Sequence, residues 1–89
     1  MPDESIRREL ARSALEAGKV PAGSAARGLG RPGRRQPCAI CGVPIHPDEV
    51  EFELGFSRDG SVPGLDVFHM HIRCFAAWEF ERTKIPPAS

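Results

Sequence analysis

Apolar residues near the beginning of the chain recur at the spacing of an α-helix. Their steps of four, four and three residues place them along one helix face. These residues are Ile6, Leu10, Ala14 and Ala17. Acidic residues near the start and Gly18 just past the end are typical of helix termini. The pattern therefore predicts a short amphipathic helix over residues 4–17, and its thin apolar stripe suggests that it either frays or docks on another part of the chain.

Two later segments alternate between apolar and other residues with the period of a β-strand. In the first, the alternation predicts a strand with one apolar and one acidic face. The apolar face consists of Val50, Phe52, Leu54 and Phe56, and the acidic face of Glu51 and Glu53. Residues 65–70 alternate less cleanly and predict a second strand. The segment between them, 57–64, contains glycines and a proline and predicts a hairpin loop.

The last predicted element is a helix from about His71 to Thr83, which two prolines at 86 and 87 would end. Phe75 and Trp78 lie on the side expected to face the hairpin. Phe80 lies on the other side, where something should cover it. We expect the amino-terminal helix or the segment after it to do so; a partner or a second copy of the chain is the alternative.

Glycine and proline interrupt residues 21–37 so often that we expect a flexible linker there. The chain then divides into four parts. Residues 1–20 hold the amino-terminal helix, 21–37 the linker, 38–85 a compact module and 86–89 a tail.

Three cysteines and one histidine fall in two pairs that have the spacing of zinc ligands. Cys38 and Cys41 are separated by two residues and followed by Gly42, so a tight turn can aim both sulfurs at one point. His71 and Cys74 are three residues apart, which on a helix places them on one face. Thiolate and imidazole are the ligands of closed tetrahedral zinc sites. The spacing predicts one structural zinc ion per chain.

Other interpretations of the cysteines are weaker. A redox dithiol is expected beside a βαβ pattern, which the sequence does not show, and a disulfide framework leaves one of three cysteines over. Iron is an alternative to zinc, because thiolate sites accept both metals. His69 is the alternative to His71 as fourth ligand; otherwise it is a packed residue or a supporting partner near the metal.

Size and charge agree with a metal-dependent module. The chain of 89 residues is one domain, and the about fifty residues from Cys38 onward are too few to bury a sufficient core unaided. The residues before Cys38 carry a net charge of +4 and the rest −4, so the two halves can attract each other. No apolar run approaches the length of a membrane span, and unpaired thiols suit a reducing environment, so we expect a cytoplasmic protein.

Several segments together resemble a known group of proteins. The segment Gly18–Pro21, the glycine and arginine linker, the turn Cys38–Gly42 and the ending Phe68–Arg82 resemble short, uncharacterised bacterial proteins with a predicted zinc site. The resemblance implies an α+β fold: a treble-clef-like zinc finger of knuckle, β-hairpin and carboxyl-terminal helix, preceded by a short helix and a linker. It implies the ligands Cys38, Cys41, His71 and Cys74. It implies no activity.

A zinc-stabilised module that binds another protein is the function we expect, through the acidic face of the hairpin or the Phe80 side of the helix. The alternative is a nucleic-acid-binding finger whose linker arginines neutralise phosphates. These arginines are Arg27, Arg31, Arg34 and Arg35. The zero net charge, the acidic second half and the absence of tyrosine weigh against it.

We do not expect an enzyme, because four protein ligands leave zinc no open position for water. If the chain is an enzyme, His69 with a nearby carboxylate is the first candidate. That carboxylate would come from Glu51, Glu53 or Asp66. His46, between Ile45 and Pro47, is more simply a turn residue.

Overall fold

The computed structural model describes residues 3–23, 25–57 and 64–84. Two helices flank three strands in the chain order α1 (Glu4–Glu16), β1 (Arg27–Pro32), β2 (Val50–Ser57), β3 (Leu65–His71) and α2 (Ile72–Arg82). The strands form one antiparallel sheet in the order β1, β2, β3. The predicted α+β class is confirmed.

The predicted hairpin corresponds to β2 and β3. Glu53, near the middle of β2, lies opposite His69 of β3 and opposite Leu29 of β1. Residues 58–63 of the predicted hairpin loop lie outside the described residues, as does the tail 86–89.

The prediction of a linker without regular structure over 21–37 is wrong for β1. This strand pairs along its whole length with β2, which would otherwise be an open edge of the sheet. Its glycines are tolerated because they allow close approach: a Cβ on Gly28 would lie 3.3 Å from Leu54 Cδ2. Pro32 ends the strand, where its missing N–H does little harm.

The amino-terminal helix docks and does not stand alone. Asp3 caps α1 by accepting a hydrogen bond from the Ile6 N–H at 3.0 Å, and Gly18 follows the helix with a φ of 73°. Its buried stripe differs from the predicted one, since Ile6 is 47% exposed. The residues that α1 buries are Arg7, Ala11, Ala14 and Leu15. The small side chains of Ala11 and Ala14 allow α1 to lie close against α2, the element on which it packs.

Aromatic side chains fill the space between the sheet and α2. The rings of Phe52 and Phe75 stack with centroids 4.4 Å apart, and Phe56 meets Trp78 edge to face at 5.8 Å. The Trp78 Nε1–H donates a hydrogen bond to the Pro21 carbonyl at 2.8 Å. This bond ties the segment after α1 to the centre of α2.

Phe80 receives part of the cover that we expected from the amino-terminal helix. The Arg8 guanidinium lies 4.2 Å from the centre of the Phe80 ring, on the side where α1 packs. Phe80 is still 42% exposed, so this cover is incomplete.

The opposite charges of the two halves meet in ion pairs. Each of four pairs joins a base before Cys38 to an acid after it. They are Arg12 with Glu81 at 3.1 Å, Arg31 with Glu53 at 2.9 Å, Arg34 with Glu51 at 3.3 Å and Arg34 with Glu53 at 3.4 Å. Neither helix in the described part of the chain is long and apolar enough to cross a membrane.

Candidate metal centre

The first cysteine pair lies in a tight turn, Cys38–Gly42, which we call the knuckle. The Gly42 N–H donates to the Cys38 carbonyl at 2.9 Å, and the φ of Gly42 is 78°, in the region that favours glycine. The Ile40 N–H points at the Cys38 sulfur at 3.4 Å. Backbone N–H groups directed at a sulfur stabilise the thiolate that a metal requires.

The second pair lies where the sheet ends and α2 begins. His71 is the last residue of β3 and stands immediately before the helix, while Cys74 is in the first helical turn. The helix thus begins one residue later than predicted. His71 nevertheless faces the same point as Cys74, because the end of β3 places the imidazole ring beside the first turn of α2.

The four side chains of the two pairs converge, and we call them the thiol cluster. It consists of Cys38, Cys41, His71 and Cys74, whose ligand atoms all lie within 4.8 Å of one another. The Nδ1 of His71 is 3.4 Å from the Cys41 sulfur and 3.9 Å from the Cys74 sulfur. A tetrahedral zinc ion would hold sulfur and nitrogen about 3.5 Å apart, from metal bonds of about 2.3 and 2.0 Å. The residues present can therefore hold a metal ion.

The three cysteines of the thiol cluster differ in pKa. A hydrogen bond from the Cys74 thiol lowers the pKa of Cys38 to about 4, and the same bond raises the pKa of Cys74. Burial raises the pKa of Cys41. All three cysteines are free thiols, and Cys38 and Cys74 are almost fully buried. A bound cation would offset the repulsion among three thiolates and displace their protons.

A carboxylate that the sequence did not single out lies beside the histidine. The Glu49 Oε1 lies 3.5 Å from the His71 Nε2, on the side of the ring away from the sulfurs. The same oxygen accepts the His46 N–H at 2.9 Å, which fixes its position. A carboxylate behind a metal-binding histidine orients the ring and fixes which nitrogen is protonated. In the sequence Glu49 is one acid in a polar turn, and nothing there distinguishes it.

His69 lies outside the thiol cluster. Its Nδ1 is 2.9 Å from the Glu51 Oε2, and because an ionised carboxylate only accepts, His69 is the donor. Its backbone carbonyl accepts the Ala39 N–H at 2.7 Å, which fastens the knuckle to β3. Of the two histidines that the sequence offered as fourth ligand, the structure brings His71 to the thiols.

A second group, which we call the carboxylate cluster, lies beside the first. It consists of Glu51, Glu53 and His69, with ligand atoms also within 4.8 Å. The Arg34 guanidinium contacts Glu51 at 3.3 Å and Glu53 at 3.4 Å. Burial alone would raise the pKa of Glu51, but hydrogen bonds from His69 and Arg34 outweigh it and hold that pKa below its ordinary value. The chain's own arginine thus supplies the positive charge, and a metal ion would have to displace it.

Glu51 lies with Glu53 on the predicted acidic face of β2, but its side chain is fully buried there, which the sequence did not indicate. The segment after β1 closes over it, and the Arg34 N–H donates to its Oε1 at 3.3 Å. Gly33 makes this closure possible, since a Cβ there would lie 2.1 Å from the His46 carbonyl oxygen. Burial of Glu51 therefore depends on a segment from a different part of the chain.

The other candidate residues occupy separate places. His46 is exposed in a turn, where its Nδ1 accepts the Asp48 N–H at 3.0 Å, in agreement with the simpler interpretation. Asp66 lies on β3 opposite Phe56 and outside the carboxylate cluster. Of the four linker arginines, Arg31 and Arg34 are paired with acids of β2. Nucleic-acid binding through these arginines stays a prediction.

Comparison with known proteins finds no match: no family model fits the sequence, and neither a curated protein nor a solved structure is significantly similar to it.

Proposed function

We propose that this chain is a small interaction module stabilised by one structural zinc ion, bound by the four side chains of the thiol cluster. The observation that carries the proposal is their convergence from two distant segments, with all ligand atoms within 4.8 Å. Residues 30 positions or more apart in sequence meet at one point, at distances that suit tetrahedral coordination.

The donor set favours zinc over harder cations. Three thiols and one imidazole are soft or borderline ligands, whereas magnesium and calcium prefer oxygen. Iron accepts thiolate ligands too, so elemental analysis has to distinguish it from zinc. Free thiols that hold a metal also fit a reducing compartment such as the cytoplasm.

A structural role follows from the number of ligands. Four protein donors complete a zinc tetrahedron and leave no position for a reactive water, so we propose no catalysis. The order of knuckle, β2–β3 hairpin and α2 supports a treble-clef-like arrangement. In that arrangement α1 and β1 are additions that pack on the module from one side and from its edge.

Protein binding suits the surface better than nucleic-acid binding. Arg31 and Arg34 are already paired with β2 carboxylates, so their charge is partly neutralised before any phosphate arrives. Apolar side chains remain exposed on the outer face of the sheet, where Leu29 is 49% and Val67 is 47% exposed. Neighbouring exposed apolar groups rimmed by charge are typical of contact surfaces between proteins.

Native mass spectrometry of the full chain, combined with elemental analysis, tests the proposal. We expect one zinc ion per chain, lost on denaturation, and a dispersed amide spectrum that collapses on chelation. A folded, metal-free chain with three reactive thiols would contradict it. Titration with duplex DNA and single-stranded RNA at two salt concentrations tests the alternative, which requires tight binding that weakens steeply with salt.

A further inference from the structure

The two outer edges of the sheet differ. The edge of β3 is fastened to the knuckle by the hydrogen bond from the Ala39 N–H to the His69 carbonyl. No described residue forms such a bond with the outer edge of β1. Within the described residues, the β3 edge is thus paired at His69, whereas the β1 edge is open along its length.

Backbone groups of two glycines face the open edge. The Gly33 N–H donates to the Glu49 carbonyl at 2.9 Å, and in an antiparallel pair the bonded residues alternate. Counting back by twos from Gly33, the odd-numbered residues of β1 bond to β2. Gly28 and Gly30 therefore direct their N–H and C=O groups away from β2. An extended chain can pair with such groups by adding one strand to the sheet.

Side chains next to this edge alternate between basic and apolar. Arg27, Leu29 and Arg31 project from β1 on the outer face of the sheet, around a depression of about 120 Å³ that Leu65 and Val67 of β3 also line. Arg27 is exposed and forms no ion pair with any described residue. The Arg31 guanidinium contacts Glu53, but its Nε is buried and no described residue accepts from it.

We infer that the outer edge of β1 binds an extended acidic peptide segment of a partner protein as an added antiparallel strand. The peptide would place an apolar residue opposite Leu29 and an acidic residue two positions to either side, opposite Arg27 and Arg31. Backbone bonds to Gly28 and Gly30 would hold the strand, and the two carboxylates would select it. This inference rests on the proposed function, because it names the partner of that interaction module.

A second copy of the chain fits this edge less well. If β1 paired with itself in antiparallel fashion about Leu29, Arg27 of each copy would lie opposite Arg31 of the other. Like charges directly opposite each other destabilise a strand pair. The charge pattern of the edge therefore favours an acidic strand over self-association.

The test uses the zinc-loaded full chain and a synthetic peptide with the core Glu-Thr-Val-Thr-Glu. We expect the amide signals of Gly28 and Gly30 to shift and to become protected from hydrogen exchange. A peptide with lysine in place of both glutamates should bind on the order of tenfold more weakly. Methylation of the peptide amides that face β1 should abolish binding, whereas methylation of the alternate amides should not, and neither change touches the protein.

Arg27→Glu should weaken binding of the glutamate peptide on the order of tenfold and should strengthen binding of the lysine peptide. Arg73→Glu, an equal change of charge at an exposed position of α2, should alter neither. Equal binding of both peptides, or unshifted Gly28 and Gly30 signals, would overturn the inference, and so would shifts that depend on protein concentration alone. A chain that holds zinc but binds neither peptide refutes this inference only, whereas a folded chain without zinc refutes the proposed function.

Discussion

The thiol cluster and the carboxylate cluster each take one histidine from β3, yet they balance their charge in different ways. His69 of one cluster and His71 of the other are separated by a single residue on β3. The carboxylates receive their positive charge from Arg34, which the chain itself provides. Among the described residues, no arginine or lysine pairs with the thiols, so a bound metal ion would supply their compensating charge. One cluster is thus complete on folding, and under the proposed function the other makes folding depend on a metal.

The sharpest way to break this comparison is to remove the metal. Chelation, or Cys74→Ser, should unfold the module, because structural zinc contributes on the order of 10 kcal/mol to the folding of such peptides. The measurement is amide dispersion and circular dichroism before and after chelator. Restoring zinc should refold the wild-type chain but not the variant. A chelated chain that keeps its dispersed spectrum would show that the thiol cluster is not the foundation of the fold.

Replacing each of the two histidines by alanine distinguishes the role of one cluster from that of the other. His71→Ala should lower zinc affinity by more than about a hundredfold, since it removes a ligand and not merely a supporting contact. His69→Ala is the matched control on the same strand and should keep the metal. Competition with a chromophoric chelator measures both affinities. Metal loss in the His69 variant with retention in the His71 variant would reverse the two assignments.

Removing the buried carboxylate tests the cluster that is complete on folding. Glu51→Gln should lower the free energy of unfolding by about 2 kcal/mol, because it weakens hydrogen bonds to Arg34 and His69 in a buried site. Zinc stoichiometry should remain unchanged. Urea unfolding of the zinc-loaded chains gives the difference. Glu16→Gln, an exposed change of the same type on α1, should have almost no effect.

Acid should remove the difference in the free energy of unfolding between the wild type and Glu51→Gln. The folded-state pKa of Glu51 is below its ordinary value of 4.5, so its contribution to stability is fully present above that value. As the pH falls through the lower folded-state pKa, the wild-type carboxylate is protonated and the contribution is lost. The gap between the two unfolding curves should therefore be constant from pH 7 to about 5 and should narrow below about 4.5. A gap that widens in acid would contradict the ion-pair interpretation.

The smallest expected effect concerns the support of His71. Glu49→Gln should lower zinc affinity by about tenfold, the lower end of the range for partners behind a metal ligand, because Glu49 is partly exposed. Asp48→Asn, one residue away and exposed, is the control and should change affinity little. An unchanged affinity in both variants would show that the ring of His71 is held by packing alone.

The sequence predicted those features that depend on residues near one another in the chain. The knuckle follows from two cysteines and Gly42 within five residues, and α1 follows from its own spacing. The alternation of β2 identified the strand and its acidic face, though it did not indicate that Glu51 is buried there. These elements have a local cause, so a local pattern reveals them.

The features that the sequence did not reveal depend on distant residues. β1 is a strand because it pairs with the edge of β2, and a glycine-rich hexapeptide contains no local pattern that predicts this pairing. Glu51 is buried because Arg34, 17 positions away, closes over it. Glu49 lies beside the ring of His71 across a separation of 22 positions, which no short motif encodes. Each of these features is determined by tertiary contacts, which the alternation and spacing of residues in the sequence do not reveal.

The position of His71 has one consequence for the amino-terminal helix. His71 pairs with Glu51 as the last residue of β3 and directly precedes α2, so a metal bound there would clamp the end of the sheet to the start of the helix. Among the described helices and strands, α1 packs on α2 alone. Release of the metal would loosen the surface on which α1 rests, although α1 contributes no ligand. Protease cleavage within α1 would then report metal occupancy at the start of α2.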